Sequence, residues 1–160
     1  QLARATAMLA NDGVLHRPHL LQASQAGFNE PLRPEPQPPG KRVIDSEEDI
    51  AAVTEGMVAV MHGPTGSARS VALDSTYRMA GKTGTAQRVS RRGTERMDPK
   101  DLPYHLRHQA WFVGFAPADN PRIAVAVLVE HGGSGSRAAA PVARRIMDAW
   151  LLPPAEEPAP

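Results

Sequence analysis

The sequence predicts an α/β fold of the segregated, α+β kind, in which helices flank an antiparallel sheet. Two apolar segments, residues 109–115 and 122–130, have the β-branched and aromatic content of strands. Five turn-forming residues, 117–121, separate them, and this short connection predicts an antiparallel hairpin. Apolar residues occupy both alternations of the two strands, which indicates that both faces are covered. The covering layers must be helices.

Three helices are expected around this hairpin. The first spans residues 2–11, where apolar side chains recur at helical spacing and residues 11–13 end the pattern. The second begins at the capping residue Ser46, followed by three acids, and ends at residues 63–66. The third closes the chain. The expected apolar faces consist of Ile50, Val53, Met57, Val60 and Met61 on the second helix, and Val142, Ile146 and Trp150 on the third.

The aromatic residues on these elements are expected to belong to the core, since they lie on the hairpin and on the apolar face of the last helix. They are Trp111, Phe112, Phe115 and Trp150.

Length and composition limit the possible functions. The 160 residues suit one domain, and the net charge of +1 gives no field that indicates a nucleic-acid partner. The absence of cysteine excludes disulfides, thiol nucleophiles and thiolate zinc sites. The expected organisation is a domain over residues 1–152, with a proline-rich loop at 31–40, a basic loop at 88–108 and a flexible tail at 153–160.

A glycine- and threonine-rich motif, Gly81-Lys82-Thr83-Gly84-Thr85-Ala86-Gln87, lies within a predicted strand over residues 77–89. A phosphate-binding loop would need a glycine five residues before Gly81, but position 76 is Thr76. The nucleotide-binding interpretation is therefore rejected. By itself a Lys-Thr-Gly tripeptide could also be an exposed strand end with a solvated lysine.

The Lys-Thr-Gly unit resembles the third of three motifs in the serine-acylating penicillin-binding and β-lactamase group. Other segments resemble that family in the same order, nearly to the end of the chain. They are residues 7–13 and 17–20, the stretch Gly-Pro-Thr-Gly-Ser-Ala at 63–68, residues 111–117, and the pair 131–133 and 139–142. The resemblance is closest to the C-terminal part of the class B, monofunctional, elongation-type penicillin-binding proteins.

This resemblance implies a role for each motif residue. Lys82 would place a positive charge beside the proton-transfer network of the nucleophile, and the backbone N–H of Thr85 would donate to the oxyanion. The hydroxyls of Thr83 and Thr85 would bind a substrate carboxylate, and Gly84 would let the substrate backbone approach the strand. The implied substrate-binding residues are Thr83, Gly84, Thr85, Ala86 and Gln87. No cofactor and no metal are expected.

Two family motifs are missing from the sequence. No serine in it has a lysine three residues later or an asparagine two residues later, so neither Ser-x-x-Lys nor Ser-x-Asn is present. Family order places both motifs before residue 1, which suggests a fragment that depends on the upstream part of its own transpeptidase domain. The isolated chain is therefore expected to be inactive.

The function implied for the intact protein is that of a peptidoglycan D,D-transpeptidase. It would cross-link stem peptides ending in D-Ala-D-Ala through a serine acyl-enzyme and would bind β-lactams, which mimic that substrate. The resemblance further implies the periplasmic face of the bacterial inner membrane, an upstream anchor and a glycan-polymerising membrane partner. Two alternatives remain open: a non-catalytic peptidoglycan- or partner-binding module of the same fold, and a D,D-carboxypeptidase or β-lactamase relative.

Other candidate sites are weaker. The histidine pairs His16/His19 and His105/His108 have a spacing of three but lack further ligands, so solvated histidines are the favoured interpretation over a metal site. The basic residues of loop 88–108 are interrupted by a single aromatic residue, Tyr104, which favours a solvated loop over a nucleic-acid or glycan contact.

Overall fold

A three-stranded antiparallel sheet lies between two helical layers in the computed structural model, which describes residues 1–87 and 103–153. Four α-helices, one 3₁₀-helix (Tyr104–Leu106), one π-helical turn and seven strands are present in the described residues. The helices are α1 (Leu2–Ala10), α2 (Glu47–His62), α3 (Arg69–Ala72) and α4 (Ala140–Leu151). The strands are β1 (Val14–Leu15), β2 (Ala23–Ser24), β3 (Arg33–Pro34), β4 (Lys41–Arg42), β5 (Ala80–Ala86), β6 (Gln109–Ala116) and β7 (Ile123–Val129).

The main sheet has the order β5-β6-β7, with all pairs antiparallel. The predicted hairpin is confirmed, because β6 and β7 pair from Ala110 opposite Val129 to Ala116 opposite Ile123. The turn between them contains the cis peptide Ala116-Pro117. The strand carrying the motif pairs only with β6, so it forms one edge of this sheet among the described residues.

Each face of the sheet has its own aromatic core residue, because Phe112 and Phe115 lie on opposite alternations of β6. Both are about 1% exposed. Phe115 packs with Ala80 and with Met57 and Val58 of α2, beside the end of α1. Phe112 belongs to the larger cluster, together with three residues of α4: Ala140, Ala143 and Met147. Helices therefore cover both faces, as the two apolar alternations predicted.

Helix α2 begins as the sequence predicted. The Ser46 hydroxyl accepts a hydrogen bond from the backbone N–H of Asp49 at 3.1 Å, and three acids occupy the first turn. Its buried face differs in one position from the expected one, since Val53 is 51% exposed and Val58 is buried. Val53 and Val58 both lie within one broad apolar stripe of the helix, and the packing against Phe115 buries Val58.

Helix α4 is the clearest correction. The residues expected in the core, Val142, Ile146 and Trp150, are exposed, and Trp150 is 64% exposed. The buried residues are instead Ala140, Ala143 and Met147. Two alanines let the helix backbone approach the sheet closely, which turns the larger side chains outward. The largest apolar residues of a helix therefore indicated the wrong face here.

Several boundaries also differ from expectation. The motif strand is shorter than residues 77–89, because it begins at Ala80 and ends at Ala86. The proline-rich segment 31–40 contains a two-residue strand, β3, which pairs with β2 through Pro34 opposite Ala23 and Arg33 opposite Ser24. The residues directly before α4 form a π-helical turn (Gly135–Ala139). Loop 88–108 and tail 153–160 lie largely outside the described residues.

Within the described ranges, no helix is both long and apolar enough to cross a membrane.

Candidate active site

The motif residues lie along the edge strand β5, and their side chains occupy both of its faces. Lys82 is exposed, and its Nζ donates a hydrogen bond to the carbonyl oxygen of Thr83 at 2.8 Å. Thr85 and Ala86 are exposed near the end of the strand, and Gln87 follows directly after it. The strand thus presents an ammonium group on one face, hydroxyls on the other, and between them a backbone edge that pairs with no further strand in the described residues.

Thr83 has a side-chain partner outside the strand. Its Oγ1 lies 2.9 Å from the Oγ of Ser67, in the turn between α2 and α3. Either hydroxyl can donate in this pair. Thr83 itself is half-buried, whereas Ser67 is exposed.

Two glycines of the strand lie in close-packed surroundings. A Cβ at Gly81 would be 3.0 Å from the Met61 Sδ and 2.8 Å from the Phe112 Cε2. Gly135, in the π-helical turn, lies against the backbone of Gly84. A Cβ added at Gly135 would lie 2.5 Å from the Gly84 carbonyl oxygen. The π-helical turn therefore rests directly on the backbone of the motif strand.

The start of the strand is fixed by a histidine. The backbone N–H of Met79 donates to the Nε2 of His62, the last residue of α2, at 3.0 Å. Burial, with smaller contributions from Arg78 and Arg144, lowers the pKa of His62. A neutral imidazole is required here, because a protonated Nε2 cannot accept this hydrogen bond.

A second set of polar contacts joins the segment before the strand to α4. The Tyr77 hydroxyl donates to Asp148 at 2.6 Å, and Arg144 Nε donates to the same carboxylate at 2.8 Å. Arg144 also donates to the Val71 carbonyl oxygen at 2.9 Å and forms an ion pair with Asp74. Burial and the hydrogen bond to Asp148 raise the pKa of Tyr77. These contacts tie α3, the strand and α4 together.

The six predicted residues from Lys82 to Gln87 are therefore contiguous at one sheet edge, although this follows partly from their order in the chain. The sequence did not single out Ser67 or His62 as residues of the site. Ser67 lies 16 residues before its partner, and no spacing rule links positions so far apart. The Gly-Pro-Thr-Gly-Ser-Ala segment was a signal for the family but not for this contact.

No group of three or more potential metal ligands occurs in the described part of the chain. Unpartnered Nδ1 atoms are buried at His108 and His131, which lie at adjacent ends of β6 and β7.

Comparison with known proteins identifies the family. Residues 1–148 match the penicillin binding protein transpeptidase domain. Peptidoglycan D,D-transpeptidase MrdA of Haemophilus influenzae is 38% identical over 156 residues, which is 94% of this chain and 23% of that protein. The chain thus spans about a quarter of the length of this relative.

Two solved structures share the fold. Pseudomonas aeruginosa PBP2, solved in complex with WCK 5153, is 42% identical, with a TM-score of 0.69 over 98% of this chain and 31% of that one. Penicillin-binding protein A of Mycobacterium tuberculosis, solved as a ceftriaxone acyl-enzyme, is 31% identical, with a TM-score of 0.70 over 93% of this chain and 31% of that one. The chain belongs to the penicillin-binding protein transpeptidase family, in its class B, elongation-type branch, as its motifs predicted.

Proposed function

We propose that the intact protein is a peptidoglycan D,D-transpeptidase and that β5 forms one wall of its acylation site. The observation that carries this proposal is the run of residues from Lys82 to Gln87 along an edge of β5 that pairs with no further strand in the described residues, with Lys82, Thr85, Ala86 and Gln87 exposed. An extended peptide can add to such an edge by backbone hydrogen bonds, with its C-terminal carboxylate held by nearby hydroxyls and an ammonium group. A D-Ala-D-Ala stem peptide has that chemistry.

Each residue then has a defined task. Lys82 stabilises negative charge near the attacking hydroxyl and the carboxylate, while Thr83 and Thr85 donate hydroxyl hydrogen bonds to the carboxylate. The backbone N–H of Thr85 donates to the developing oxyanion, a contribution typically worth about 3 kcal/mol per donor. Gly84, Ala86 and Gln87 form the remaining strand surface against which the substrate extends.

The nucleophile is proposed to come from a segment outside this chain. The attacking serine would form an ester with the penultimate D-alanine and release the terminal D-alanine, and the amine of a second stem peptide would then displace the serine. The face that Lys82 shares with Trp111 and Leu128 supports the presence of such a segment. Leu128 is 41% exposed, whereas Val127 and Val129 on the opposite face are half-buried. A helix carrying Ser-x-x-Lys could cover this surface.

Localisation and partners follow from this activity. The proposed location is the periplasmic face of the inner membrane, as the resemblance to the family implies. A glycan-polymerising membrane protein is the proposed partner, because cross-linking requires newly made glycan strands. β-Lactams are the proposed inhibitors, and the acyl-enzyme of the mycobacterial relative supports this.

The test is acylation of the intact protein by a labelled penicillin. Lys82→Ala is expected to lower the acylation rate by orders of magnitude, because charge stabilisation at the reacting centre is lost. Lys41→Ala is a matched control, since Lys41 is also exposed but lies in β4, outside the site. Normal acylation of Lys82→Ala would refute the proposed role. An intact protein that is never acylated would instead support a non-catalytic module, and rapid hydrolysis of the acyl-enzyme would support a carboxypeptidase or β-lactamase.

A further inference from the structure

The contact between Ser67 and Thr83 connects the motif strand to an element whose role is not otherwise explained. Ser67 follows the turn that ends α2, and its Oγ lies 2.9 Å from the Thr83 Oγ1. Because the Ser67 side chain is exposed, this hydrogen bond contributes little to the stability of the fold. Its position beside a proposed carboxylate-binding hydroxyl calls for another explanation.

The backbone on both sides of Ser67 is firmly held. On its C-terminal side, the N–H of Ala68 donates to the Val60 carbonyl oxygen at 3.1 Å, and the Ala68 side chain is fully buried. On its N-terminal side, Gly66 lies directly on the last turn of α2. A Cβ at Gly66 would be 2.5 Å from the Ala59 carbonyl oxygen and closer still to that of Val60. Only glycine fits here, so the turn fixes the distance between Ser67 and the strand.

We propose that Ser67 is a positioning residue that orients the Thr83 hydroxyl toward the carboxylate of the stem peptide or β-lactam. This inference rests on the proposed function of β5. A carboxylate only accepts hydrogen bonds, so Thr83 must use its single hydroxyl proton to bind it. The proton between the two hydroxyls must then come from Ser67. In the bound state Ser67 donates to Thr83, and Thr83 donates to the carboxylate.

This chain of hydrogen bonds has two consequences for binding. The bond from Ser67 restricts rotation of the Thr83 hydroxyl and keeps its proton directed away from Ser67, toward the ligand. Hydrogen bonds arranged in series also polarise one another, which makes the terminal hydroxyl a better donor. Without Ser67, Thr83 still has its hydroxyl, but the group must be ordered when the ligand binds.

The experiment measures the second-order acylation rate constant of the intact protein with two probes, a penicillin with a free carboxylate and its methyl ester. Ser67→Ala is expected to lower the rate with the free carboxylate about 3- to 10-fold, and to leave the rate with the ester unchanged. Ser67→Thr is expected to restore the rate, because its hydroxyl can donate in the same way. Ser70→Ala is the matched control, since Ser70 is an exposed serine in the same segment, in α3.

The double variant Ser67→Ala/Thr83→Ala separates positioning from an independent contact. If Ser67 acts through Thr83, the double variant is as slow as Thr83→Ala alone. The inference would be overturned if the losses of the two single variants multiplied in the double variant, or if Ser67→Ala lowered the rate with the ester as much as the rate with the free carboxylate. It would also be overturned if Ser67→Ala left the rate unchanged. In those cases acylation of the unsubstituted protein and the effect of Lys82→Ala would still support the proposed function. A protein that is not acylated at all would overturn both.

Gly66→Ala provides a second variant that keeps both hydroxyls. The added Cβ displaces the turn, so the rate with the free carboxylate is expected to fall as in Ser67→Ala, again with little effect on the ester. An unchanged rate in Gly66→Ala would show that the turn does not position Ser67.

Discussion

Substituting Gly81 by alanine tests how the core side chains that pack against the motif strand support it. Gly81 lies opposite Gly114 in the sheet, and the ring of Phe112 covers both glycines. An ideal Cβ at Gly81 would be 2.8 Å from one ring carbon, closer still to the Phe112 Cζ, and 3.0 Å from the Met61 Sδ. Phe112 and Met61 are each about 1% exposed, so neither side chain has free space to enter.

The size of the effect follows from these distances. Carbon atoms in contact are comfortable at about 3.5 to 4.0 Å, so the ring or the strand must move by roughly 1 Å. Forced movement in a packed core typically costs about 1 to 3 kcal/mol. Because Lys82 is the next residue, displacement of the strand also misplaces the proposed acylation groups. Gly81→Ala is therefore expected to lower both stability and the rate of acylation.

The assay is denaturant unfolding of the intact protein, with Gly56→Ala as the control. Gly56 is an exposed residue inside α2, and a Cβ there would meet nothing within 4 Å. The same substitution at that position should stabilise the protein by about 0.5 to 1 kcal/mol. Opposite signs at the two glycines support the packing argument. Equal unfolding midpoints for Gly81→Ala and the unsubstituted protein would refute it.

Three further substitutions, together with one comparison variant, test the remaining supports of the strand. The intact protein should lose stability as the pH falls below about 6.5, because the unfolded chain binds a proton at His62 more readily than the folded protein does. His62→Gln should remove this loss of stability, and an unaltered pH profile would contradict this. Tyr77→Phe should cost about 1 to 2 kcal/mol by removing the 2.6 Å bond to Asp148, whereas Asp119→Ala, which breaks an exposed ion pair with Arg78, should cost less than about 0.5 kcal/mol. Equal costs for these two would refute the distinction. Gly135→Ala should slow acylation, because its Cβ would press on the Gly84 backbone; an unchanged rate would contradict that contact.

The elements whose signals are local were predicted well from the sequence. The cap at Ser46, the end of α2 at Gly63 and the hairpin of β6 and β7 all depend on residues close together in the chain. Hydrogen-bonding side chains and turn residues act over a few positions, so their effect can be read without a partner. The family motif was equally local, since Gly81 to Gln87 are consecutive.

The orientation of α4 could not be predicted in the same way. The sequence favours the face with Val142, Ile146 and Trp150, because burial of large apolar side chains contributes most to stability. The structure instead packs Ala140 and Ala143 against the sheet. Which face is buried depends on how closely the helix packs against Phe112, a residue far from it in the sequence. Close packing of small residues has no strong signal in one sequence.

Contacts between distant segments were also beyond prediction. Ser67 and Thr83, His62 and Met79, and Tyr77 and Asp148 are separated by 16, 17 and 71 residues. Polar side chains at these positions are as compatible with solvent as with a partner. Only the folded arrangement of α2, β5 and α4 brings each pair within hydrogen-bonding distance. The parts of the site that support the motif are therefore visible in the structure alone.

Locating the acyl group tests most directly whether the nucleophile comes from outside this chain. In the proposed mechanism β5 supplies charge, hydroxyls and an oxyanion donor, and the attacking serine lies outside residues 1–160. The intact protein is labelled with penicillin, digested and mapped by mass spectrometry. The expected result is a single stoichiometric adduct on a serine that is followed three residues later by lysine, outside the sequence described. An adduct on any serine from Ser24 to Ser136 would contradict the account.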